Sequence, residues 1–520
     1  MASNTEPRLG RPGTRASVPP SANPAPSVGS SIGLRPTGER RVVIVGGGAS
    51  GVLLACHLLR NPEVELKVTL IERRPGVGQG IAYSTANPHH VLNVRASNMS
   101  AFADDPDHFW RWLVNHRGSE DLRCSDPFCF APRALYGRYI ANLIEPLQER
   151  RRVGRLEIVQ GECVDLRVSR TGVVATLADG ADHLGDIAVL ATGHETPTAD
   201  CASCYAQPWT TPEDAKIAKD EPVLILGTGL TMVDYVLALQ HAGHAGPTTA
   251  MSRRGLLPHV HRRIPLLRIE AAEVPFGADV ATLLRWLRDR VERTEAEGGD
   301  WRSVIDAVRP FTQKLWQTLP LTSRRRFLEH LRAWWDVHRH RMAPEIGTHL
   351  HKLIARGRLQ IVAGKICAVE PSGPRSIVRY RRRGAQATET MRVAKIIECR
   401  GVVTNPLDTT NPVLVSLFRQ GRLRADPLRI GIDVSDDCAI VAASGEISQR
   451  LFAIGPLTRA AFWEIVAVPD IRVQCAQLAQ RITTQLLARD PGGLVPSATR
   501  ASLTILRTTR LRDSPHQGPE

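Results

Sequence analysis

Two glycine turns, each closing an apolar run and opening an amphipathic one, are the parts of this 520-residue chain most capable of chemistry. The first is Arg41-Val-Val-Ile-Val-Gly46-Gly47-Gly48-Ala49-Ser50-Gly51, a G-x-G-x-x-G turn. In such a turn the first glycine permits a tight reversal and the second lets backbone approach a pyrophosphate. The third lets the following helix pack closely on the strand. The helix N-terminus then offers unpaired N–H groups and a positive dipole end to the phosphates. Glu72 ends the next strand about 20 residues on, where a carboxylate can accept both ribose hydroxyls.

The second turn is Gly227-Thr228-Gly229-Leu230-Thr231-Met232 after the run Val223–Leu226, with methionine where a third glycine would stand. Its next strand ends in Ser252-Arg253-Arg254 and carries no carboxylate. A carboxylate there would repel a 2′-phosphate, whereas guanidinium forks grip one. The expectation is NADPH, with NADH less suited, held at Gly227, Thr228, Gly229, Leu230 and Thr231 with Arg253 and Arg254 on the phosphate. Two exposed loop arginines are the bland alternative.

The segments downstream repeat as well. Gly154-Arg-Leu-Glu-Ile-Val-Gln-Gly161 and Asp186–Gly193 follow the first turn; Gly357-Arg-Leu-Gln-Ile-Val-Ala-Gly364 and Lys395–Gly401 follow the second. Such an internal repeat means two copies of one nucleotide-binding module. That suits a redox enzyme passing electrons between two nucleotide cofactors.

Other reactive residues are less organised. Cys201-Ala-Ser-Cys204 lies between the two turns with the spacing of a redox pair, and supports the alternative of an NADPH-dependent disulfide reductase. Tyr205 follows it where bacterial thioredoxin reductases carry an acid, and Cys124…Cys129 lacks glycine-rich surroundings, so both pairs read as incidental. His259-Val-His261 and His338-Arg-His340 have no third or fourth ligand spaced to join them, so no metal site is expected.

The elements that must position these residues read as an α/β chain of two Rossmann-like dinucleotide-binding domains with a helical insertion. A Pro/Ser/Arg-rich tail occupies 1–40. The first domain runs over 41–215 and returns at 405–490, and the second covers 216–278 and 346–404. Apolar residues at helical spacing in Ala281–Leu287, Val304–Val308 and Phe327–Trp335 mark 279–345 as the insertion, and 491–520 as a second tail remains. No apolar run is long enough to span a membrane, and the first tail has no signal-peptide core. The net charge of +15 is scattered, aromatic content is 5%, and no nucleic-acid motif is visible. Neither nucleic acid nor membrane is therefore expected as a partner, and ten cysteines without a disulfide framework make a reducing cytoplasm the default. Oligomeric state is left open by the sequence.

Longer motifs carry a resemblance: Gly80-Ile-Ala-Tyr83-Ser-Thr85, His90-Val-Leu-Asn93, Asn98–Phe102, Ala131-Pro-Arg133–Gly137, Gly227–Asp234, Ser252–Pro258, Trp335–Arg341, Leu451–Leu457, Trp463-Glu464 and Val468-Pro469. Over most of 41–488 the chain resembles a bacterial FAD/NAD(P)-binding family whose name-giving domain is described as a FAD-dependent urate hydroxylase. More distantly it is similar to two-nucleotide flavin monooxygenases, including N-hydroxylating ones. The resemblance implies FAD in the first module at Gly46, Gly48, Gly51 and Glu72, with Tyr83, Asn93 and Gly455-Pro456-Leu457 near the flavin. Ala49, Ser50, Arg73, Val164, Thr192 and Gly193 complete the expected FAD set. Cys399-Arg400-Gly401 departs from the threonine expected before glycine in this family, which puts a nucleotide contact there in doubt.

The expectation is a cytoplasmic, NADPH-using, FAD-dependent monooxygenase acting on a small organic substrate and O2 through flavin reduction and a C4a-hydroperoxyflavin. Asp336, His338 and His340 are the substrate-side candidates. A protein that binds FAD without turnover, as a sensor or interaction partner, is a further alternative.

Overall fold

The computed structural model describes residues 39–60, 64–85, 87–116, 124–148, 155–195, 204–403 and 405–488. Cys201, Gly154 and nearly all of both expected tails lie outside these.

Two parallel-centred sheets carry the two glycine turns. In the first, β1 (Arg40–Val45), β2 (Leu66–Glu72) and β3 (Leu156–Gln160) run parallel side by side. A short antiparallel sheet of β4 (Cys163–Val168), β5 (Val173–Leu177) and β6 (Asp182–Gly185) follows. The chain then returns through β7 (Ile187–Leu190) to the other side of β1. Val42–Val45 and Ile187–Leu190 are buried on both faces, which is why they read as unbroken apolar runs rather than alternating ones.

The second sheet repeats this plan. β8 (Tyr205–Ala206) joins it at one edge, so the second sheet takes in residues from 205 onward. β9 (Val223–Leu226) and β10 (Thr248–Ser252) stand for β1 and β2. β11 (Leu359–Ser372), β12 (Arg375–Arg382) and β13 (Thr388–Val393) stand for β3 and the antiparallel segment, and β14 (Lys395–Glu398) for β7. Late in the chain, β15 (Ala439–Val441) and β16 (Ile447–Ala453) return to the first sheet beside β7. The mixed α/β class with parallel sheets therefore follows the pattern expected from the repeat.

The glycine geometry repeats with the strands. Gly46 has φ +110° and Gly227 φ +108°, a backbone that L side chains rarely adopt. A Cβ on Gly46 would collide with the Ala191 carbonyl just past β7, and one on Gly227 with the Cys399 carbonyl just past β14. The turn in each copy thus lies against the C-terminal end of the same neighbouring strand.

Between β10 and β11, helices Val280–Ala296, Trp301–Val308, Thr312–Thr318, Leu321–Arg326 and Arg332–Arg339 form the insertion. Asp279 caps the first, its carboxylate accepting from Thr282 N at 2.8 Å, and Asp300 caps the second from Arg302 N at 2.9 Å. A five-residue π turn, Phe327–Leu331, precedes the last. Trp316 docks the insertion on the first module: its indole N–H donates to Ala460 O at 2.7 Å, and its ring stacks on Trp463 at 4.6 Å.

One sequence expectation is corrected here. Cys124 and Cys129 are joined in a disulfide and are not incidental. The residues between them fold into a tight loop in which Asp126 accepts from Phe128 N at 2.7 Å. That local turn brings the two sulfurs together, a closure that spacing alone does not reveal.

Candidate functional site

Helix Ala49–Leu59 begins at Gly48 and helix Leu230–His241 at Gly229. Neither has a side-chain cap or an acid in its first turn. Both N-termini therefore keep open amides and a positive dipole end. A Cβ on Gly48 would approach only Gly80 Cα, at 3.6 Å, and one on Gly229 would meet nothing within 4 Å. These two glycines face open space.

The space before Gly48 is a cleft open to solvent. The turn residues Gly46, Gly48, Ala49 and Ser50 line it, with Glu72 at the end of β2 and Arg73 just past it, Thr192 and Gly193 beyond β7, and Tyr83 and Pro456. These expected FAD residues come together. Gly51 lies beneath, where a Cβ would strike Gly46 O and approach Leu70. Gly455 (φ +68°) packs on Ser50 in the same way, and its N–H donates to Gln474 Oε1 at 2.8 Å.

Glu72 is already engaged. Its carboxylate accepts from Gly47 N at 2.7 Å and Arg74 N at 2.9 Å. A carboxylate has about four acceptor positions, so capacity for ribose hydroxyls remains. Three expected residues stand apart from the cleft. The β3–β4 corner presents Gly161, Glu162 and Cys163 there, not Val164. Leu457 lines an adjoining cavity with Arg73 and His194. Asn93 uses its backbone carbonyl to accept from His261 Nε2 at 3.1 Å, linking the two modules.

A second cavity, also open, lies between Gly229-Leu230, the insertion and the C-terminal part of the first module. Val466 borders both this cavity and the cleft. Asp336 and His340 line it, whereas His338 does not. His338 instead bonds Trp334 O through Nδ1 at 2.7 Å and packs on His259 and Trp301. Residues two apart on a helix project about 200° apart, while residues four apart share a face. Burial pushes the Asp336 carboxyl up, with His340 and Arg332 opposing, and pushes His340 down.

Arg332, Arg459 and Glu464 border the same cavity and were not among the expected site residues. Glu464 is buried and holds φ +65°. Its carboxylate accepts from Trp335 Nε1, and from Arg339 Nε at 3.0 Å. Arg459 donates to Ile430 O, and to Val403 O at 3.2 Å, and burial lowers it to about 10. The Trp463-Glu464 motif was visible in the sequence; its reach into the insertion was not.

At the turn of the second module the expected NADPH residues divide. Thr228 is occupied within the protein, its hydroxyl donating to Leu256 O at 2.6 Å and lying 2.9 Å from Ser252 Oγ. Gly227 lies against Cys399, as above, and Thr231 sits in the first turn of the helix. Arg253 is exposed, while Arg254 donates to His330 O at 3.1 Å. Arg400 does not reach across to this turn but pairs with Glu398, Nε to Oε1 at 2.8 Å. Cys204 is buried at the start of the edge strand β8 and borders none of the three cavities.

Residues 43–195 match the family model described as FAD-NAD(P)-binding. The match ends at the β7 segment that closes the cleft. Among solved structures, the chain is similar to an L-lysine 6-monooxygenase from Pseudomonas syringae, at 14% identity and TM-score 0.60, covering 86% of this chain and 99% of that one. It is similar to an ornithine N-hydroxylase from Kutzneria sp. 744, solved with reduced FAD, NADP+ and L-ornithine, at 13% and 0.59, covering 88% and 100%. It is also similar to a cadaverine monooxygenase from Erwinia amylovora, solved with FAD, at 13% and 0.55, covering 92% and 99%. These likenesses show the fold alone. No curated protein matches the chain in sequence. Among the described residues no helix is long and apolar enough to cross a membrane, and no three His, Cys, Asp or Glu side chains cluster as a metal site.

Acid sensitivity follows from His261. Burial, reinforced by Arg341, lowers its imidazole from 6.5 to about 3. The unfolded chain takes up this proton near pH 6.5 and the folded chain only near 3. Stability is therefore full above that range and falls as the pH drops through it, by about 2 kcal/mol at pH 5 from this group alone. Urea midpoints at pH 7.5 and 5 are expected to differ less in His261→Gln than in the parent protein.

Proposed function

We propose that the protein is an FAD-dependent monooxygenase that takes hydride from NADPH and transfers one oxygen atom of O2 to a small organic substrate. The observation that carries this reading is a pair of cavities, one fronted by each uncapped glycine turn, that share Val466 as a bordering residue. Two dinucleotides seated on those turns would bring their redox ends toward the same point.

The residues present fit FAD. The open amides after Gly48 would hold its pyrophosphate, Glu72 its ribose, and Tyr83 and Pro456 would border its ring end. When bound, FAD supplies a two-electron acceptor and an oxygen-activating centre. Gly229 and Leu230 would seat the NADPH pyrophosphate, with a cation at Arg253 for its 2′-phosphate.

The substrate would enter the second cavity. Ile430, Val337, Trp463 and Val466 give it an apolar wall, and Asp336, His340, Arg332 and Glu464 give it polar contacts. Burial biases His340 toward its neutral imidazole, which would offer a bound group a hydrogen-bond partner. The urate-hydroxylase resemblance and the amine-hydroxylating structural relatives define two substrate panels: urate-like heterocycles, and diamines with basic amino acids.

The test is anaerobic mixing of the purified flavoprotein with NADPH or NADH, followed by oxygenated buffer and each panel, with product mass recorded. Reduction by NADPH and a product heavier by one oxygen atom is the expected result. Flavin that NADPH leaves oxidised, or turnover that yields only hydrogen peroxide with both panels, would overturn the reading.

A further inference from the structure

The strand registers align the two modules residue by residue. Val45 pairs with both Ile71 and Leu190, and Leu226 with both Met251 and Glu398. One step outward, Glu72 pairs with Gln160 and Ser252 with Ala363. Arg73 and Arg74 therefore correspond to Arg253 and Arg254, Gly161 to Gly364, and Glu162 to Lys365.

In the first module Glu72, Arg73 and Glu162 border the cleft, and Arg73 pairs with Glu162 at 3.1 Å. In the second module both carboxylates are replaced, Glu72 by Ser252 and Glu162 by Lys365. Gly255, at φ +63°, packs on the second-module corner, where a Cβ would lie 3.2 Å from Ala363 Cβ and N. Lys365 is exposed, as is Arg381 opposite it on β12. Among the described residues neither Arg253 nor Lys365 enters an ion pair. The position that holds a neutralised pair in one copy thus holds two cations in the other.

We propose that Lys365 acts with Arg253 as the reader of the NADPH 2′-phosphate, and that Arg254 is a tether to the insertion through His330. This replaces the Arg253–Arg254 pair expected from sequence, and it rests on the NADPH reading above. Ser252 in place of a carboxylate removes the group that would repel the phosphate, and Lys365 adds a point charge facing it across the strand ends.

The experiment titrates oxidised, purified flavoprotein with NADP+, NAD+ and 2′,5′-ADP by calorimetry. Lys365→Ala is expected to weaken NADP+ and 2′,5′-ADP about tenfold or more and to leave NAD+ within about twofold. Lys365→Arg should restore most of the loss, and Arg254→Ala should leave all three ligands near their original affinities. Unchanged NADP+ binding in Lys365→Ala, with Arg253→Ala still defective, overturns the role of Lys365 while the NADPH reading stands. A parent protein that binds NADP+ no better than NAD+ overturns both. Equal loss of NADP+ and NAD+ in Lys365→Ala marks a structural part and also overturns the proposal.

Discussion

Gly48→Ala is expected to give a folded protein that purifies with less than about a tenth of its flavin, and Gly229→Ala a fully yellow one that binds NADPH about tenfold or more weakly. Both glycines have ordinary negative φ, −70° and −85°, so alanine fits their backbone. Neither added methyl would collide with protein: Gly48 approaches only Gly80, and Gly229 nothing. What each methyl would meet is the phosphate that the turn is shaped to approach. Far-ultraviolet circular dichroism and thermal unfolding should therefore match the cofactor-free parent, while the flavin absorbance and NADP+ titration separate. Gly51→Ala serves as the contrast. Its Cβ would be driven into Gly46 O, so it should lose stability along with flavin. Full flavin in Gly48→Ala would remove the cleft from consideration as the FAD site.

Glu464→Ala is expected to loosen the insertion at a cost of about 3 kcal/mol, since it leaves the Arg339 guanidinium buried without its carboxylate. Arg339 and Glu464 are 10% and 7% exposed at their side chains, and the same carboxylate receives the Trp335 indole. The backbone adds a second effect that can be read separately. At φ +65° glycine is relaxed where alanine is strained, so Glu464→Gly should be less destabilised than Glu464→Ala by about 1 kcal/mol. Because a chain of this size need not unfold in one step, hydrogen exchange over Val280–Arg339 is the better measure than a single melting midpoint. Unchanged exchange in both variants would show that Trp316 and its neighbours hold the insertion without Glu464.

The glycine turns, the acid after β2 and the strand runs were legible because each answers to a local rule: tight reversal, ribose pairing, continuous burial. The duplicated module was legible because both copies keep the same strand–turn–helix punctuation. Contacts made across the sheet were not. Lys365 gains meaning only when β10 and β11 are set in register, and the corner of the cleft falls at Cys163, one residue before the expected Val164. Asp336, His338 and His340 are close in sequence, but helical geometry turns His338 away from the other two. Glu464 and Arg459 come from a segment more than a hundred residues past the insertion they face, beyond the reach of any spacing rule. The Cys124–Cys129 bond depended on a loop conformation.

Arg133 from the first module pairs with Asp234 in the second at 2.9 Å, with both side chains largely sheltered. Burial raises the Asp234 carboxyl and Arg133 opposes that shift, so the pair is held only while the modules stay together. His90 adds a contact to the Asp234 carbonyl at 3.0 Å. Two halves clasped in this way have already surrendered the rotational freedom that would otherwise be lost each time donor and acceptor were aligned. The entropy of orientation is settled once, during folding, and each catalytic cycle would begin with its partners facing one another.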